Sequence, residues 1–443
     1  MRVYDVAIAG GGPAGAAAAV GLARAGRTVL LADAGREGGA PIGEGLPPSA
    51  RSLLRELGVL AATLAGGHRP SHGTASAWGS PALHVRDFLF EPNGPGWQLD
   101  RTHFDAMLRR AAADAGADIR EGARLTLADV REDARLTPTD IREDTRLTLT
   151  DVREDTRLAP ADDAPPPADG APPPAGGPLR LRLRGGPGAE RAAQEVGCHW
   201  LIDAGGRPAA LTRRLGATRR RDDRLVAFYL RLRAKGHVER GSEGGAHGGT
   251  DASPPRGTEA RAKEGSDRDG RTLVEAVEDG WWYSVLLPDG ERLVARLGDA
   301  DLLDRRRLLG VEGLWSSLGE TQHLRRLCAE YGYLPRGPAR GADASSSRLE
   351  PAAGERWVAV GDAALAFDPL SSKGIASALY TGLRAASAVD AALRGEGGAV
   401  ERYAAHLLDV YRVYRQQLRA HYAAETRWPD APFWRRRSAT SGP

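Results

Sequence analysis

The stretch Val3–Asp33, "VYDVAIAGGGPAGAAAAVGLARAGRTVLLAD", decides the fold of this chain. A short apolar strand leads into Gly10, Gly12 and Gly15, an alanine-rich helix follows, and a second apolar strand ends at Asp33. A carboxylate about 20 residues after the glycines accepts hydrogen bonds from the ribose hydroxyls of a dinucleotide. The order of strand, glycines, helix, strand and acid therefore predicts a dinucleotide-binding fold.

Each small residue of the glycine segment has a physical role in binding a dinucleotide. Gly10 permits a tight turn, Gly12 lets the backbone approach a pyrophosphate, and Gly15 allows close helix packing. Pro13 and Ala14 begin the helix, whose N-terminal amides stabilise phosphate charge. We therefore expect all five residues to contact the cofactor or shape its site.

A second motif near the other end of the chain, "RWVAVGDAALAFDPLSSKGIASALYTGLRAA", indicates which dinucleotide binds. A strand enters Gly361 and Asp362, and Asp362 can bond the ribityl hydroxyls of a flavin. The amides around Lys373, Gly374 and Ile375 begin a helix directed at the flavin pyrimidine edge. A simple nicotinamide dehydrogenase has no need of this segment, so the sequence predicts FAD.

Composition excludes several other classes of protein. The chain has 443 residues, 41% of them hydrophobic, and a formal net charge of +3, which does not indicate nucleic-acid binding. Its two cysteines form no disulfide framework, and no Cys/His cluster suggests a metal site. The N-terminus lacks signal-peptide features and no run of 18 apolar residues occurs, so we expect no membrane span and a cytoplasmic location.

The order of motifs resembles the FAD-dependent monooxygenase and halogenase superfamily, which shares the p-hydroxybenzoate hydroxylase fold. The matching segments are the glycine motif, "GEGLPPSA" (43–50), "LDRTHFDAMLRRAA" (99–112), "DAGGR" (203–207) and "GDAALAFDPLSSKGI" (361–375). Within it, the chain resembles the halogenase-like branch. That branch includes flavoproteins that hydroxylate a tryptophan of a partner protein during quinone-cofactor maturation. The resemblance implies an α/β (α+β overall) fold with a Rossmann-like FAD domain, a β-sheet substrate domain and a helical C-terminus.

The same resemblance implies further cofactor contacts. Gly43 and Glu44 should line the isoalloxazine, Arg101 should contact the cofactor, and Asp203 and Pro369 belong to its matching segments. Each of three assignments has a simpler alternative. Glu44 suits a helix N-terminus, Arg101 suits a solvated helix start, and Asp203 suits a turn.

Two departures from the halogenases favour hydroxylation over halogenation. Their strand signature Trp-x-Trp-x-Ile-Pro becomes Trp281, Tyr283, Val285 and Leu286 here. Halogenases of this type also rely on a lysine after the "GEG" segment, but residues 1–234 contain no lysine. Arginine does not replace it simply, because the guanidinium is permanently charged and forms a haloamine less readily.

The aromatic run Trp281, Trp282 and Tyr283 falls on a predicted strand of the substrate domain. Because side chains alternate along a strand, Trp281 and Tyr283 share a face that can look toward the pocket. We treat these two residues, with Glu44, as the catalytic candidates. The alternative is that aromatic residues simply favour strands.

The motifs divide the chain into five parts. These are a discontinuous FAD-binding domain (1–75, 97–119, 180–215 and 340–395), a substrate domain (76–96 and 216–339), a repeat insertion (120–179), a flexible loop (236–272) and a helical C-terminal region (396–443). The repeat insertion begins with four 11-residue units, from "REGARLTLADV" to "REDTRLAPADD", and continues as a Pro-rich segment. Its "RLTLTDV" alternation suggests one edge strand copied in tandem.

These features predict an FAD-dependent monooxygenase that hydroxylates an electron-rich aromatic group. By resemblance, oxygen is the cosubstrate and reacts through a flavin C4a-hydroperoxide. The electrons come from NAD(P)H or from a separate flavin reductase. The substrate is a small aromatic molecule or an aromatic group on a peptide or carrier protein. The alternatives are a reductase like the geranylgeranyl reductases, a halogenase, and a non-catalytic maturation factor that contains FAD.

Overall fold

The structure is a computed structural model that describes residues 1–35, 43–128, 177–185, 193–234 and 267–438. These residues form a mixed α/β protein, which confirms the predicted fold class. The strands are β1 (Arg2–Ala9), β2 (Val29–Asp33), β3 (Gly45–Leu46), β4 (Arg69–Ser71), β5 (Gly73–Ala77), β6 (His84–Asp87), β7 (Gly96–Gln98), β8 (Asp118–Glu121), β9 (Ala123–Leu127), β10 (Leu179–Gly185), β11 (Gln194–Asp203), β12 (Thr218–Arg221), β13 (Leu225–Ala234), β14 (Thr272–Val277), β15 (Gly280–Leu286), β16 (Arg292–Asp299), β17 (Tyr333–Asp343), β18 (Ser347–Glu350), β19 (Ala353–Gly354), β20 (Trp357–Ala359) and β21 (Leu365–Ala366). The α-helices are α1 (Pro13–Arg24), α2 (Ala50–Glu56), α3 (Leu60–Ala65), α4 (Arg101–Asp114), α5 (Ala210–Arg214), α6 (Arg305–Leu308), α7 (Val311–Ser317), α8 (His323–Glu330), α9 (Gly374–Leu393), α10 (Ala399–Ala423) and α11 (Pro432–Ser438).

A parallel sheet lies at the centre of the cofactor domain. Its strands β20, β11, β1, β2 and β8 are neighbours in that order, and every pair in this series is parallel. The middle of β1 is buried on both faces, as a parallel strand covered on both sides requires. The amide of Ala204, after β11, donates to Ala9 O at the end of β1 (2.8 Å). The loops after these two strands therefore lie side by side.

Helix α1 packs against α9 with almost no space for side chains between the backbones. A Cβ added at Gly382 of α9 would lie only 2.2 Å from Ala14 O of α1. A Cβ added at Gly15 would lie 1.9 Å from Gly10 O. Glycine is therefore required at both positions. The close approach of Gly382 to Ala14 joins the first motif of the sequence to the second.

The first 11-residue repeat contributes the strand β9, which lies at an edge of the cofactor sheet. β9 pairs antiparallel with β10, and Leu125 lies opposite Leu183. The remaining repeats lie outside the described residues, as does most of the Pro-rich segment. The predicted flexible loop 236–272 overlaps the described residues only at its end. The described end of this loop is anchored to the substrate domain, because Asp267 is buried against Arg292 with their charged atoms 2.6 Å apart.

The substrate domain is built on a second sheet with the strand order β17-β13-β16-β15-β14-β5-β6. All of its pairs are antiparallel except β14 with β5. The sheet starts at Gly73 and includes β17 to Asp343. Its limits therefore differ by a few residues from the predicted boundaries at 76 and 340, because β5 already pairs with β14 at Thr74.

The C-terminal helices connect the two sheets. The Tyr403 hydroxyl of α10 donates to Ala359 O of the cofactor sheet (2.8 Å). The Trp434 indole N–H of α11 donates to Val277 O of the substrate sheet (3.0 Å), and Trp434 is buried. In the part of the chain that the structure describes, no helix is long and apolar enough to cross a membrane.

Candidate functional site

The turn between β1 and α1 leaves room for a ligand at one glycine and none at another. Gly10 has φ +112°, and a Cβ there would lie 2.3 Å from Ala204 O. A Cβ at Gly12 would meet nothing within 4 Å. No side chain caps the N-terminus of α1, and its first turn carries no acidic residue. The free amides beside Gly12 fit a pyrophosphate.

Asp33 lies beside this turn and has a basic neighbour that the sequence analysis missed. The Arg109 guanidinium lies 3.5 Å from the Asp33 carboxylate and donates to Gly11 O (3.3 Å). Arg109 follows Arg101 by eight residues on α4, so the two guanidinium groups start about two turns apart. This spacing is visible in the sequence and could have identified Arg109 as a candidate. Arg109 places a positive charge at the edge of the glycine turn.

Arg101 is buried rather than solvated. Its guanidinium donates to Gly43 O (2.9 Å) and makes two further bonds to the Asp105 carboxylate one turn later (3.2 and 3.0 Å). Gly43 has φ +100°, a conformation that favours glycine. Asp100 caps the helix by accepting from His103 N (3.0 Å). The structure thus brings Arg101 and the segment beginning at Gly43 together, and their contacts with the cofactor stay predictions.

The turn containing Gly361 and Asp362 meets the glycine turn. A Cβ at Gly361 would lie 2.8 Å from Ala14 Cβ, and the Gly361 amide donates to Thr381 Oγ1 of α9 (2.8 Å). The Asp362 carboxylate is partly exposed and lies 3.5 Å from Arg207 Nε. The two motifs are therefore adjacent in space, and the Asp362 carboxylate remains open to a ligand.

Arg219 supports the turn that contains Gly361 and Asp362 through hydrogen bonds. The sequence analysis did not predict this role. Its guanidinium donates to Asp362 O (2.9 Å) and Ala363 O (2.7 Å). Burial lowers the pKa of Arg219 to about 10, against the opposing effect of the Asp362 carboxylate. Arg219 is one of three consecutive arginines on β12, and the sequence alone does not show which of them is buried.

Asp203 shapes a loop. Its carboxylate accepts from the amides of Gly205 (2.9 Å), Leu211 (3.2 Å) and Thr212 (3.0 Å), and from the Thr212 hydroxyl (2.9 Å). The Gly205 amide belongs to the loop after β11, and the other three donors belong to the first turn of α5. This geometry corresponds to the turn alternative, and we assign Asp203 no direct contact with the cofactor.

The segment predicted to face the flavin begins with a buried acid that the sequence analysis passed over. The Asp368 amide donates to the Tyr414 hydroxyl (2.7 Å), and the Asp368 carboxylate accepts from the Tyr422 hydroxyl (2.7 Å). Burial raises the pKa of Asp368 to about 6, and the nearby Asp223 carboxylate adds to this shift. Two tyrosines of α10 thus hold the start of the short turn Pro369–Ser371.

The end of this segment opens to solvent. Lys373 is exposed, and its ammonium donates to Gln417 Oε1 (3.5 Å). Helix α9 begins at Gly374, where a Cβ would meet nothing within 4 Å, and Ile375 is buried behind it. No side chain caps this N-terminus, so its amides fit the polar edge of a flavin.

Glu44 and Tyr283 meet at the junction of the two domains. The Tyr283 hydroxyl donates to Glu44 Oε2 (3.4 Å). Burial raises the pKa of Glu44, although Arg101 opposes this shift. Burial and the Glu44 carboxylate raise the pKa of Tyr283 well above its usual value, so the phenol stays protonated. The pair joins a buried carboxyl group to a half-buried phenol that donates to it.

The structure separates Trp281 from this pair. Trp281 is completely buried, and its indole N–H donates to the Tyr422 hydroxyl (3.1 Å). Trp78 contacts it edge to face, with ring centroids 6.4 Å apart. Trp282 lies on the opposite face of β15 and donates to Glu320 Oε1 (2.7 Å). Trp281 thus packs between the substrate sheet and α10, whereas Tyr283 is the member of the aromatic run that contacts Glu44.

The chain is similar to known flavoproteins in sequence and in fold. Residues 3–151 match the FAD binding domain family. LodB of Marinomonas mediterranea, assigned as an FAD-dependent oxidoreductase, is 26% identical over 444 residues, covering 100% of this chain and 98% of LodB.

Two solved structures share the fold. The myxobacterial chondrochloren halogenase CndH is 21% identical with a TM-score of 0.73, covering 99% of this chain and 86% of its own. The peptidyl tryptophan dihydroxylase QhpG, described as essential for tryptophylquinone cofactor biogenesis, is 20% identical with a TM-score of 0.65. That likeness covers 98% of this chain and 79% of QhpG.

Proposed function

We propose that this chain, an FAD-dependent oxidoreductase with a fold of the p-hydroxybenzoate hydroxylase type, is a monooxygenase that hydroxylates an electron-rich aromatic ring. The ring is an indole or a phenol, carried by a peptide, by a carrier protein or by a small molecule. Oxygen is the cosubstrate, and NAD(P)H or a separate flavin reductase supplies the electrons.

The contact between Glu44 and Tyr283 carries this proposal. Hydroxylation of an aromatic ring requires removal of a proton from the attacked carbon. A carboxyl group whose pKa is raised by burial suits that task, because its carboxylate accepts a proton more readily than an ordinary carboxylate does. Tyr283 donates to Glu44 Oε2 and would hold the carboxyl group in one orientation.

The proposed cofactor contacts follow from the fit of the two turns. The amides near Gly12 would hold the pyrophosphate, Asp33 a ribose, Asp362 the ribityl chain, and the amides at Gly374 the flavin ring. Reduced FAD in this position supplies the activation of oxygen. Arg101 fixes the segment that carries Glu44, which keeps the acid at one place relative to these turns.

Halogenation is the alternative function, because CndH, a halogenase of known structure, shares the fold. The chain lacks lysine through residue 234, where halogenases of this type place theirs. Lys373, in the described part of the chain, lies exposed on the segment before α9 and bonds Gln417. We therefore place hydroxylation ahead of halogenation.

Oxygenation of three probes tests the proposal, namely indole, p-cresol and a tryptophan-containing pentapeptide. Each is mixed with the reduced holoprotein under labelled oxygen, in buffer with and without chloride. We expect one labelled oxygen atom on a ring. Glu44→Gln should lower this yield about 100-fold or more, as loss of a general acid-base group does, and Tyr283→Phe about tenfold.

The control variant is Tyr331→Phe, whose ring packs on the other side of the substrate sheet. It should leave the yield unchanged, and all three variants should retain FAD. A chlorinated product, or equal yields from the wild-type protein and the Glu44→Gln variant, would contradict the proposal.

A further inference from the structure

Four large apolar side chains lie exposed within eight residues of the substrate domain. They are Leu83, Val85, Leu89 and Phe90, and we refer to them as the apolar edge. Phe90 is 91% exposed and Leu89 is 77% exposed, the two highest values for large hydrophobic residues in the described chain. Single exposed apolar residues are ordinary, but a contiguous group on a protein surface marks a site of interaction.

The apolar edge flanks a strand that has an open side: Val85 lies on β6, Leu83 precedes it, and Leu89 and Phe90 lie in the turn that follows it. β6 is the last strand of the substrate sheet, and within the described residues its only partner is β5. The Phe88 amide points inward and donates to His72 O (2.7 Å). Because successive residues of a strand direct their amides to opposite edges, Val85 and Asp87 present theirs outward. The open side can therefore bind an extended main chain.

The chain connects this surface to the candidate site. After Phe90 the chain enters β7, where Trp97 pairs with Leu46 of β3. The Leu99 amide then donates to Glu44 O (2.8 Å). Arg51 fixes the connection, because its guanidinium lies 4.6 Å from the centre of the Trp97 ring. The chain segment that follows the apolar edge is thus hydrogen-bonded to the segment that carries Glu44.

We propose that the apolar edge docks an extended segment of the polypeptide that carries the aromatic substrate, which adds to β6 as a further strand. The open main chain of β6 selects an extended backbone, and the four apolar side chains select apolar residues in it. Even at about 150 Å² for each side chain, which is an upper value because Leu83 and Val85 are only 38% and 50% exposed, the four would bury less than about 600 Å². A stable complex needs about 800 Å² from each partner, so the area fits a transient substrate better than a permanent second copy.

The inference rests on the proposed function for the identity of the substrate, but binding can be measured separately from chemistry. The probe is a fluorescent ten-residue peptide of alternating valine and threonine with a central tryptophan. Its matched control has proline at alternate positions and cannot add to a strand. Fluorescence anisotropy measures binding to the oxidised holoprotein. We expect the first peptide to bind at least about tenfold more tightly than the control.

The double variant L89D/F90D should lose this preference, because it places two charges on the apolar edge. Both residues are exposed, so the variant should fold and keep its FAD. Val413→Asp is the matched control, since Val413 is similarly exposed but lies on α10. Amide exchange at Val85 and Asp87 should slow when the peptide binds.

Equal binding of the two peptides, binding unaffected by L89D/F90D, or no binding at all would overturn the docking proposal. A wild-type dimer that L89D/F90D converts to a monomer would also overturn it, because a second copy would then be the occupant. Oxygenation of the bound tryptophan is scored by mass. A peptide that binds as expected but gains no oxygen would count against the proposed function alone.

Discussion

The turn at 10–15 and the turn at 361–374 are predicted to hold opposite halves of one cofactor, and they are built in different ways. The first turn is shaped by missing side chains, because a Cβ at Gly10 or Gly15 would overlap backbone atoms. The second turn is held by side chains from distant parts of the chain, including Arg219 and Tyr422. The first is thus a local property of the sequence and the second a product of the whole fold.

This difference predicts different responses to substitution. A side chain added at Gly10 or Gly15 of the first turn meets backbone atoms that cannot move aside. Its effect on stability should therefore be large and steric. The second turn has several independent supports, so each loss should be smaller and should depend on charge and hydrogen bonding. Three substitutions test this contrast.

The largest effect is expected for Gly15→Ala, whose Cβ would lie 1.9 Å from Gly10 O. Such an overlap between backbone segments should cost about 3 kcal/mol or more in the free energy of unfolding. Denaturant unfolding of the purified variant measures the cost, and FAD absorbance reports the loss of cofactor.

Gly12→Ala is the matched control within the same turn, because its Cβ meets no protein atom. Its free energy of unfolding should stay within about 0.5 kcal/mol of wild type. Its affinity for FAD should nevertheless fall about tenfold or more, since the Cβ would occupy space near the pyrophosphate. Equal stability of the two variants would remove the steric account of this turn.

Asp368→Asn tests the buried charge at the second turn. Burial raises the pKa of Asp368 to about 6, so the folded chain binds this proton more tightly than the unfolded chain does. The stabilisation is therefore full below about pH 4 and is lost as the pH rises through about 6. A shift of about two pH units corresponds to about 3 kcal/mol. The neutral variant should gain that much stability relative to wild type between pH 4 and pH 7.5.

Urea unfolding at several pH values measures the gap between the two proteins. The carboxylate accepts from both the Leu370 amide and the Tyr422 hydroxyl, whereas asparagine has a single acceptor oxygen, so the loss of one of these bonds adds an offset to the gap. Asp409→Asn is the control, because Asp409 is exposed on α10, the helix that carries Tyr414 and Tyr422. A gap between wild type and Asp368→Asn that stays constant from pH 4 to pH 7.5 would show that the carboxyl does not titrate as described.

The smallest effect is expected for Arg219→Met. The variant leaves the carbonyls of Asp362 and Ala363 without their donor, which should cost about 2 kcal/mol in the free energy of unfolding. Arg220→Met is its neighbour and control. Because Arg220 forms an exposed pair with Glu350, its loss should cost less than about 0.5 kcal/mol. Matching losses in thermal unfolding of the two variants would mean that the second turn does not depend on Arg219.

The same contrast explains which features the sequence could predict. The α/β fold and the glycine turn depend on residues close together in the chain, and the fold prediction is confirmed. Arg219 and Asp368 look ordinary in the sequence, one within an arginine triplet and the other before a proline. Only the tertiary structure buries Asp368 and half-buries Arg219. Arg109 is intermediate, since its helical spacing from Arg101 was visible but its contact with Gly11 was not.

The catalytic candidates divide in a similar way. Strand alternation placed Trp281 and Tyr283 on one face of β15, but it could not show what each would touch. The position of α10 decides this, because Tyr422 of that helix binds the Trp281 indole. Tyr283 instead reaches Glu44, which lies 239 residues away in sequence. The functional roles of Glu44 and Tyr283 stay predictions until the variants are measured.

The two tyrosines of α10 that hold Asp368 have a consequence for the biosynthesis of the protein. The ribosome makes the glycine turn first, yet the second turn lacks its support until Tyr414 and Tyr422 have left the exit tunnel. Domains commonly begin to fold from the N-terminus during translation. Here the β1–α1 unit cannot complete its contacts with the second turn until most of the chain has been translated. FAD should therefore be captured at the end of synthesis, when α10 docks.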